Sequence, residues 1–251
     1  MQYTLKKSLG QHFLKDENIC RRIVDAVLEE HPQCLVEIGP GGGALTKYLL
    51  QLPDVDFKAV ELDKEKVDFL EHTYPSIKGK LIHESFLDSS VPFDQHFMVV
   101  GNFPYNISTQ ILFKLLDWKE RVDCIVGMFQ KEVAQRVAAK EGSKTYGIIS
   151  VLIQAYFDVE YLFDVSEHCF NPPPKVKSGV IKLKPAAHVP EMASDKKFTL
   201  LVKTAFNQRR KMLRNGVRGL FDEEFLKDEL FNKRAEQLSV QQFAELTFKM
   251  K

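Results

Sequence analysis

The stretch Val36-Glu37-Ile38-Gly39-Pro40-Gly41-Gly42-Gly43 is a short apolar strand that runs straight into a glycine-rich turn, and a helical pattern starts near Ala44. Glycines at such a junction let the chain turn tightly and let a ligand approach the main chain. The turn alone is ambiguous, because structural turns and dinucleotide sites share it. Pro40 weighs against a phosphate cradle, since it removes one of the backbone N–H donors that a diphosphate needs at a helix start. A cofactor without phosphates fits better. About 20 residues further on, Val60-Glu61-Leu62-Asp63 ends a second strand, where a carboxylate can accept hydrogen bonds from both hydroxyls of a ribose. Glu61 is the candidate ribose ligand. The plainer alternative is an exposed strand end with Asp63 capping the next helix. Neither the turn nor the acid separates a nicotinamide cofactor from S-adenosylmethionine.

Outward from this junction, short β-branched runs alternate with helical patterns through the first two-thirds of the chain. That alternation predicts an α/β fold with a parallel or mostly parallel sheet covered by helices. An amphipathic helix is expected at residues 17–29, with strands at 35–38, 57–61, 80–83, 98–101 and 124–128. Residues 131–140 read as a helix, and the apolar runs 148–155 and 179–183 read as late strands of the same sheet. Residues 185–194, with two prolines and small side chains, read as a linker. Beyond Lys196 the spacing is helical, without a convincing strand. The expected division is therefore a catalytic α/β domain over residues 1–185, led by a segment at 1–15, and a small all-helical domain over 195–251.

A chain of 251 residues has room for one large core and a small second domain. Its longest apolar runs, such as 148–153, fall far short of the roughly 18–20 residues that span a bilayer. Residues 1–15 lack the apolar core of a signal peptide. A cytoplasmic protein with no membrane partner is expected. Cys20, Cys34, Cys124 and Cys169 show no Cys-x-x-Cys pairing, so neither a disulfide nor a metal site is indicated.

The fourth strand carries the chemistry. Met98-Val99-Val100-Gly101 leads directly into Asn102-Phe103-Pro104-Tyr105, which puts that motif at the carboxyl edge of the sheet, where open α/β folds bind ligands. An amine conjugated to a purine is a poor nucleophile, because its lone pair is delocalised into the ring. The side-chain carbonyl of Asn102 and the main-chain carbonyl of Phe103 can each accept one N6–H bond of an adenine, drawing the nitrogen toward tetrahedral geometry. Pro104 holds Phe103 extended, so that its carbonyl is not lost to a helix. Tyr105 offers an aromatic face for the base, worth roughly 1–3 kcal/mol, and such a base must be unpaired or flipped out. An ordinary strand-ending turn is the alternative, since Asn and Pro favour turns.

The net charge of +1 does not by itself point to a polyanion. The distribution of charge does. Residues 196–218 hold Lys196, Lys197, Lys203, Arg209, Arg210, Lys211, Arg214 and Arg218 and no acid, and the first fifteen residues hold Lys6, Lys7 and Lys15 without an acid. A solvated helix face is the bland reading of such a run; binding to a phosphate backbone is the other.

With these residues in place, the chain resembles the ribosomal RNA adenine dimethylase family, and within it the small-subunit dimethyladenosine transferases. The resemblance runs through Lys7-Ser8-Leu9-Gly10-Gln11-His12-Phe13-Leu14, the two loops above, Phe129-Gln130-Lys131-Glu132-Val133, Tyr146-Gly147 and Phe170-Asn171-Pro172-Pro173-Pro174-Lys175-Val176. It continues through Thr204-Ala205-Phe206-Asn207-Gln208-Arg209-Arg210-Lys211. It implies a Rossmann-like, mostly parallel seven-stranded methyltransferase fold. It also implies transfer of two methyl groups from S-adenosylmethionine, leaving S-adenosylhomocysteine, to each of two adjacent adenosines in a hairpin near the 3′ end of 16S rRNA. The substrate would be the immature small subunit and the enzyme a monomer.

By the same resemblance, cofactor contacts fall to His12, Leu14, Gly39, Gly41, Glu61, Leu62, Ser85 and Asn102. Phe170 would be a second aromatic facing Tyr105 across the flipped base. Lys203, Asn207, Arg209, Arg210, Lys211 and Arg214 would contact RNA. Two positions depart from the family pattern. Ser85 stands where an Asp usually contacts the cofactor's adenine, with Glu84 beside it, and His12 stands where many relatives have Asn. A hydroxyl accepts a hydrogen bond more weakly than a carboxylate, so these changes bear on cofactor affinity more than on methyl transfer.

Four other readings compete. Large-subunit resistance methylases share the catalytic loop, but the whole-length match and the segment 207–211 favour the small subunit. A DNA adenine methylase would need a separate sequence-reading domain. An assembly factor that binds immature subunits is compatible with catalysis, which intact Asn102 and Tyr105 favour. A nicotinamide oxidoreductase lacks a hydride-accepting site and is disfavoured by Pro40.

Overall fold

The computed structural model describes residues 12–251. Residues 1–11, with Lys7 to Gln11 of the first matched segment, lie outside the described residues. The chain divides into two compact units: residues 12–134 with Val159–Pro185, and Gln135–Asp158 with Ala186–Lys251.

The first unit is built on a seven-stranded sheet of β2 (Cys34–Ile38), β3 (Asp56–Glu61), β4 (Leu81–His83), β5 (Phe97–Asn102), β6 (Val122–Gln130), β7 (Phe157–Val165) and β9 (Ser178–Pro185), in the order β4-β3-β2-β5-β6-β9-β7. β3 and β5 flank β2 in parallel, β4 runs parallel to β3 and β6 to β5, and β9 is antiparallel to β6. All five residues of β2 and the first five of β5 are buried. That explains why these strands read as apolar runs, broken in β2 only by Glu37: both faces of the sheet are covered. Chain order reverses around β2, with β3 on one side and β5 on the other. The carboxyl ends of those strands therefore border the crevice in which such sheets bind ligands. This is the mostly parallel α/β fold that the sequence predicts.

The helix α1 (Glu17–Leu28) starts where Asp16 accepts hydrogen bonds from the N–H groups of Asn18 and Ile19, at 2.9 and 3.1 Å. Its spacing puts Ile19, Cys20, Ile23, Val24 and Val27 on one buried face. The helix α2 is Thr46–Leu49, α3 is Lys64–Thr73 and α4 is Ser108–Asp117. A small antiparallel pair, β1 (Phe13–Leu14) with β8 (Phe170–Asn171), sets Leu14 opposite Phe170 and Phe13 opposite Asn171.

Across the boundary between the units runs α5 (Lys131–Val137). The second unit contains α6 (Ile148–Gln154), α7 (Asp195–Asn207), α8 (Leu213–Val217) and α9 (Val240–Leu246), with short 3-10 turns between the later ones. Its core stacks Phe206 against Tyr146 and Phe243, at ring separations of 6.2 and 5.9 Å.

One expected strand is a helix. Residues 148–155 form α6, whose Ser150 hydroxyl accepts from the Gly147 N–H at 3.0 Å and donates to the Arg136 carbonyl. Only Ser150 and Gln154 interrupt this apolar run, and a short, mostly apolar stretch does not by pattern separate a buried helix from a buried strand. The strand lies further on, in β7, where Phe157, Val159, Tyr161, Phe163 and Val165 alternate with mostly polar neighbours.

Candidate active site

Three glycines of the first loop hold left-handed backbone: Gly39 at φ +66°, Gly41 at +55° and Gly43 at +81°. At Gly41 a Cβ would also stand 2.9 Å from the Phe13 ring, so both conformation and space exclude a side chain there. The loop is tied down at both ends. The Gly39 N–H donates to the Val60 carbonyl at 2.9 Å, and the Gly41 N–H donates to Glu61 Oε2 at 3.0 Å. The other oxygen of Glu61 accepts from the Asp63 N–H at 2.9 Å. Each carboxylate oxygen is thus fixed by one backbone donor and keeps lone pairs for a second. Burial raises the pKa of Glu61, while the Asp63 and Gly41 amides pull it down.

Glu37, behind the loop, was given no role by sequence reasoning. Its side chain is buried, and its Oε2 accepts from the Thr46 hydroxyl at 2.7 Å. Burial pushes its pKa up to about 8, with Thr46 opposing and the charge of Glu61 adding to the rise.

The second loop leaves β5 at Asn102. Its Nδ2 donates to the His12 carbonyl at 3.0 Å, which fixes the orientation of the amide and turns Oδ1 the other way. The Phe103 N–H donates to the Met128 carbonyl at 3.1 Å, and the Phe103 ring is buried edge-on against Phe129, 5.0 Å away. The ring acts as a peg that leaves the Phe103 carbonyl without a donor among the described residues. Gly127 and Gly101 make room for it, since a Cβ at either would fall within 2.7 Å of the ring. Tyr105 hydrogen-bonds through its hydroxyl to Ser178, and its pKa is raised by burial.

His12 stacks on Tyr105, with ring centroids 5.5 Å apart and planes tilted by 28°. The His12 Nδ1–H donates to the Pro172 carbonyl at 2.9 Å, which sets its tautomer, since a carbonyl can only accept.

Both loops open into one cleft of about 350 Å³, lined by His12, Leu14, Gly39, Gly41, Glu61, Leu62, Ser85, Asn102, Phe103, Pro104 and Tyr105 among others. The structure therefore gathers every residue expected at the cofactor and the target base except one. Phe170 is buried to 1% exposure within the core, opposite Leu14, and does not line the cleft. The expectation that it faces Tyr105 is corrected. Pairing of β8 with β1 turns its side chain inward, and His12 is the ring against Tyr105. Glu37, which lines the cleft, and Thr46 and Ser178, which bond to Glu37 and Tyr105, are the residues that sequence reasoning missed. Glu37 did stand inside the diagnostic stretch, as an acid in an otherwise apolar strand.

The basic run of the second unit divides. Lys203, Asn207, Arg210 and Lys211 are exposed. Arg209 is half-buried and engaged: its Nε donates to Glu236 at 2.6 Å and its Nη2 to the carbonyls of Ser143 and Lys144. Arg214 is half-buried, with its Nε enclosed. Arg209 therefore differs from the expectation of a free phosphate contact. Among the described residues, no helix is long and apolar enough to cross a membrane, and no cluster of His, Cys, Asp and Glu could hold a metal ion.

A family model described as ribosomal RNA adenine dimethylase matches residues 2–250. The chain belongs to that family. Within it, the chain is 51% identical to a protein of Cytophaga hutchinsonii named ribosomal RNA small subunit methyltransferase A, over 96% of this chain and 95% of that one. A protein of the same name from Flavobacterium johnsoniae is 50% identical, over 98% and 95%. Among solved structures, a dimethyladenosine transferase from Plasmodium falciparum superposes with a TM-score of 0.79 at 25% identity, covering 94% of this chain and 96% of that one. The 23S rRNA methyltransferase ErmE gives 0.75 at 20% identity, covering 95% and 99%, which is a likeness of fold. The dimethylase fold is thus that of methyltransferases.

Proposed function

We propose that the protein transfers methyl groups from S-adenosylmethionine to the exocyclic N6 of adenines in small-subunit ribosomal RNA, two on each of two adjacent adenosines of the 3′-terminal 16S hairpin. The observation that carries this reading is the amide of Asn102. With Nδ2 committed to the His12 carbonyl, its Oδ1 and the Phe103 carbonyl are two acceptors at one strand end, beside the glycine loop.

The residues fit the cofactor. Glu61 presents two oxygens that are each half-satisfied, suited to the two hydroxyls of a ribose. Gly39 and Gly41 bring bare backbone to the cleft, and Leu14, Leu62 and Ser85 surround it. When bound, S-adenosylmethionine supplies an electrophilic methyl on sulfur, which leaves with a thioether behind it. Asn102 and Phe103 hold the two N6 protons, so that the nitrogen lone pair is directed at that methyl. As the new N–C bond forms, one N6 proton passes to water. Tyr105 holds the base by stacking. In the second unit, exposed Lys203, Asn207, Arg210 and Lys211 meet the RNA backbone, and the preferred substrate is the immature subunit, engaged by a cytoplasmic monomer. The helical residues 195–251 serve as the RNA-binding part, and residues 1–185 as the catalytic part.

The test incubates the protein and labelled S-adenosylmethionine with unmethylated small subunits, large subunits and naked RNA, and maps the label. Label on adjacent small-subunit adenines is expected. Label confined to large-subunit RNA would overturn the assignment.

A further inference from the structure

Residues 135–158 lie far from 195–251 in sequence but belong to the same compact unit. Between α5 and α6 they form a surface turn that is held from several sides. Gln154 Nε2 donates to the Val137 and Ala139 carbonyls at 2.7 and 2.8 Å, which fixes the approach to the turn. Gly142, in left-handed backbone at φ +80°, donates its N–H to the Glu236 carbonyl at 2.7 Å. The Ser143 hydroxyl donates to the Lys140 carbonyl at 2.7 Å, and Arg209 Nη2 donates to the carbonyls of Ser143 and Lys144. Past the turn, the Tyr146 ring is buried edge-on against Phe206. What this fixed frame carries outward is Lys140 and Lys144, both exposed. Neither ammonium forms an ion pair among the described residues, although Glu141 follows Lys140 in sequence, whereas Lys47, Lys131 and Lys182 are all paired with carboxylates. The bond from Arg209 sets the turn against the stretch that carries exposed Arg210 and Lys211.

We infer that the turn 140–145 is a second arm of the RNA interface: Lys140 and Lys144 bind phosphates of the small-subunit RNA beside those met by Arg210 and Lys211. The inference rests on the RNA substrate assigned above. A fixed backbone leaves only side-chain freedom to be lost when a lysine is immobilised on a partner. An unpaired ammonium enters a phosphate contact without first breaking an ion pair, and the counterions that the RNA releases then favour binding. The composition of the turn points the same way. A protein partner would look for apolar or aromatic area to bury at the centre of an interface. The exposed residues of the turn are Lys140, Glu141, Gly142, Lys144 and Thr145, which offer none. The interface is therefore assembled from two stretches more than 60 residues apart, and the hydrogen bonds of Arg209 join them.

The test titrates the protein against unmethylated small subunits at several salt concentrations and measures kcat and KM for methyl transfer. It compares the wild type with Lys144→Ala, Lys144→Arg, the double variant Lys140→Ala/Lys144→Ala, and Lys227→Ala. Lys227 is also exposed on the second unit, but it stands among Glu223, Glu224, Asp228 and Glu229. The wild type reads the substrate assignment by itself: no methyl on small-subunit adenines would remove that assignment, and the role of the turn with it. Given wild-type transfer, Lys144→Ala should bind the subunit about threefold more weakly, with a salt slope lower by about one unit. The double variant should lose on the order of tenfold, with a slope lower by about two units. The loss should fall on KM, while kcat at saturating subunit and Tm stay at the wild-type level. Lys144→Arg, which keeps the charge, should match the wild type, and so should Lys227→Ala. Three outcomes overturn the inference: alanine variants with the salt slope of the wild type, a Lys227→Ala variant that lowers the slope as much as Lys144→Ala does, or a loss that Lys144→Arg does not restore.

Discussion

The side-chain amide of Asn102 and the main-chain carbonyl of His12 meet at 3.0 Å, across 90 residues of sequence. The bond decides which way the amide faces. An amide is nearly symmetric in shape, and without a partner for Nδ2 its oxygen and nitrogen would compete for the same place. Asn102→Ala should therefore lower methyl transfer by on the order of 10²–10³-fold, as loss of a preorganised polar group at the reacting centre does. Binding to the small subunit should persist. Asn102→Asp should be nearly as inactive, because it sets a carboxylate oxygen against the His12 carbonyl. Single-turnover transfer alongside a subunit-binding assay would check both, and transfer retained in the alanine variant would sink the polarisation mechanism.

Glu61 holds two backbone donors, from Gly41 and Asp63. Glu61→Gln replaces one acceptor oxygen with an NH₂ group, which must face an N–H at one side or the other. The glycine loop loses a tie and the ribose loses an acceptor. Affinity for S-adenosylmethionine should drop by on the order of tenfold or more, as expected for a charged hydrogen-bond acceptor. Calorimetric titration measures it, and unchanged affinity would mean that the cofactor does not lie against Glu61.

Glu37 keeps its proton at neutral pH. Its pKa in the fold is about 8, against an ordinary carboxyl value of 4.5. Between those values the folded chain binds a proton that the unfolded chain has released. The contribution of Glu37 to stability is thus fully present below about pH 4.5, declines as pH rises and levels off above about 8. Glu37→Gln keeps the shape and can still accept from Thr46, but it cannot ionise. Its melting temperature should fall less than that of the wild type between pH 5 and pH 8. Parallel curves from differential scanning calorimetry would mean that Glu37 is charged in the fold.

Arg209 and Arg210 are neighbours in sequence but should behave differently. Arg209 is bonded to Glu236 and to two carbonyls of the 143–144 turn, with its side chain 36% exposed, so Arg209→Ala should cost roughly 1–2 kcal/mol of stability. That corresponds to a fall in Tm of a few degrees. Arg210→Ala should leave Tm alone, weaken subunit binding and lessen its dependence on salt by about one unit of slope. Thermal melts and binding titrations at several salt concentrations separate the two. Identical profiles for both variants would return the whole run to a solvated face.

The two diagnostic loops are legible in the sequence because their causes are local. A buried strand of Val and Ile followed by Gly-Pro-Gly, or by Asn-Phe-Pro-Tyr, leaves few conformations open, and the α/β class follows from the alternation of elements. Features decided by distant partners are not legible. Residues 148–155 are apolar apart from Ser150 and Gln154, and the partners of those two, on Gly147, Arg136, Val137 and Ala139, lie outside the run. Phe170 is turned inward by a strand partner more than 150 residues earlier. Arg209 is withdrawn from the basic run by Glu236 and by carbonyls 65 and 66 residues before it. The polarity of β7 was present, as alternation between Phe157 and Val165, but was masked by the stronger apolar run just before it.

The pairing of β1 with β8, together with the bond from Tyr105 to Ser178, ties the acceptor site to its chain from two ends. A chain in the course of synthesis that has passed Tyr105 already carries the whole Asn-Phe-Pro-Tyr motif, but Pro172 and Ser178 have yet to be made. Closure waits on contacts of long sequence separation, which form late because loop entropy must be overcome first. A fragment that stops short of those residues would thus hold the chemistry of the motif without a seat for the base. A truncated product could not methylate the ribosomal RNA around it.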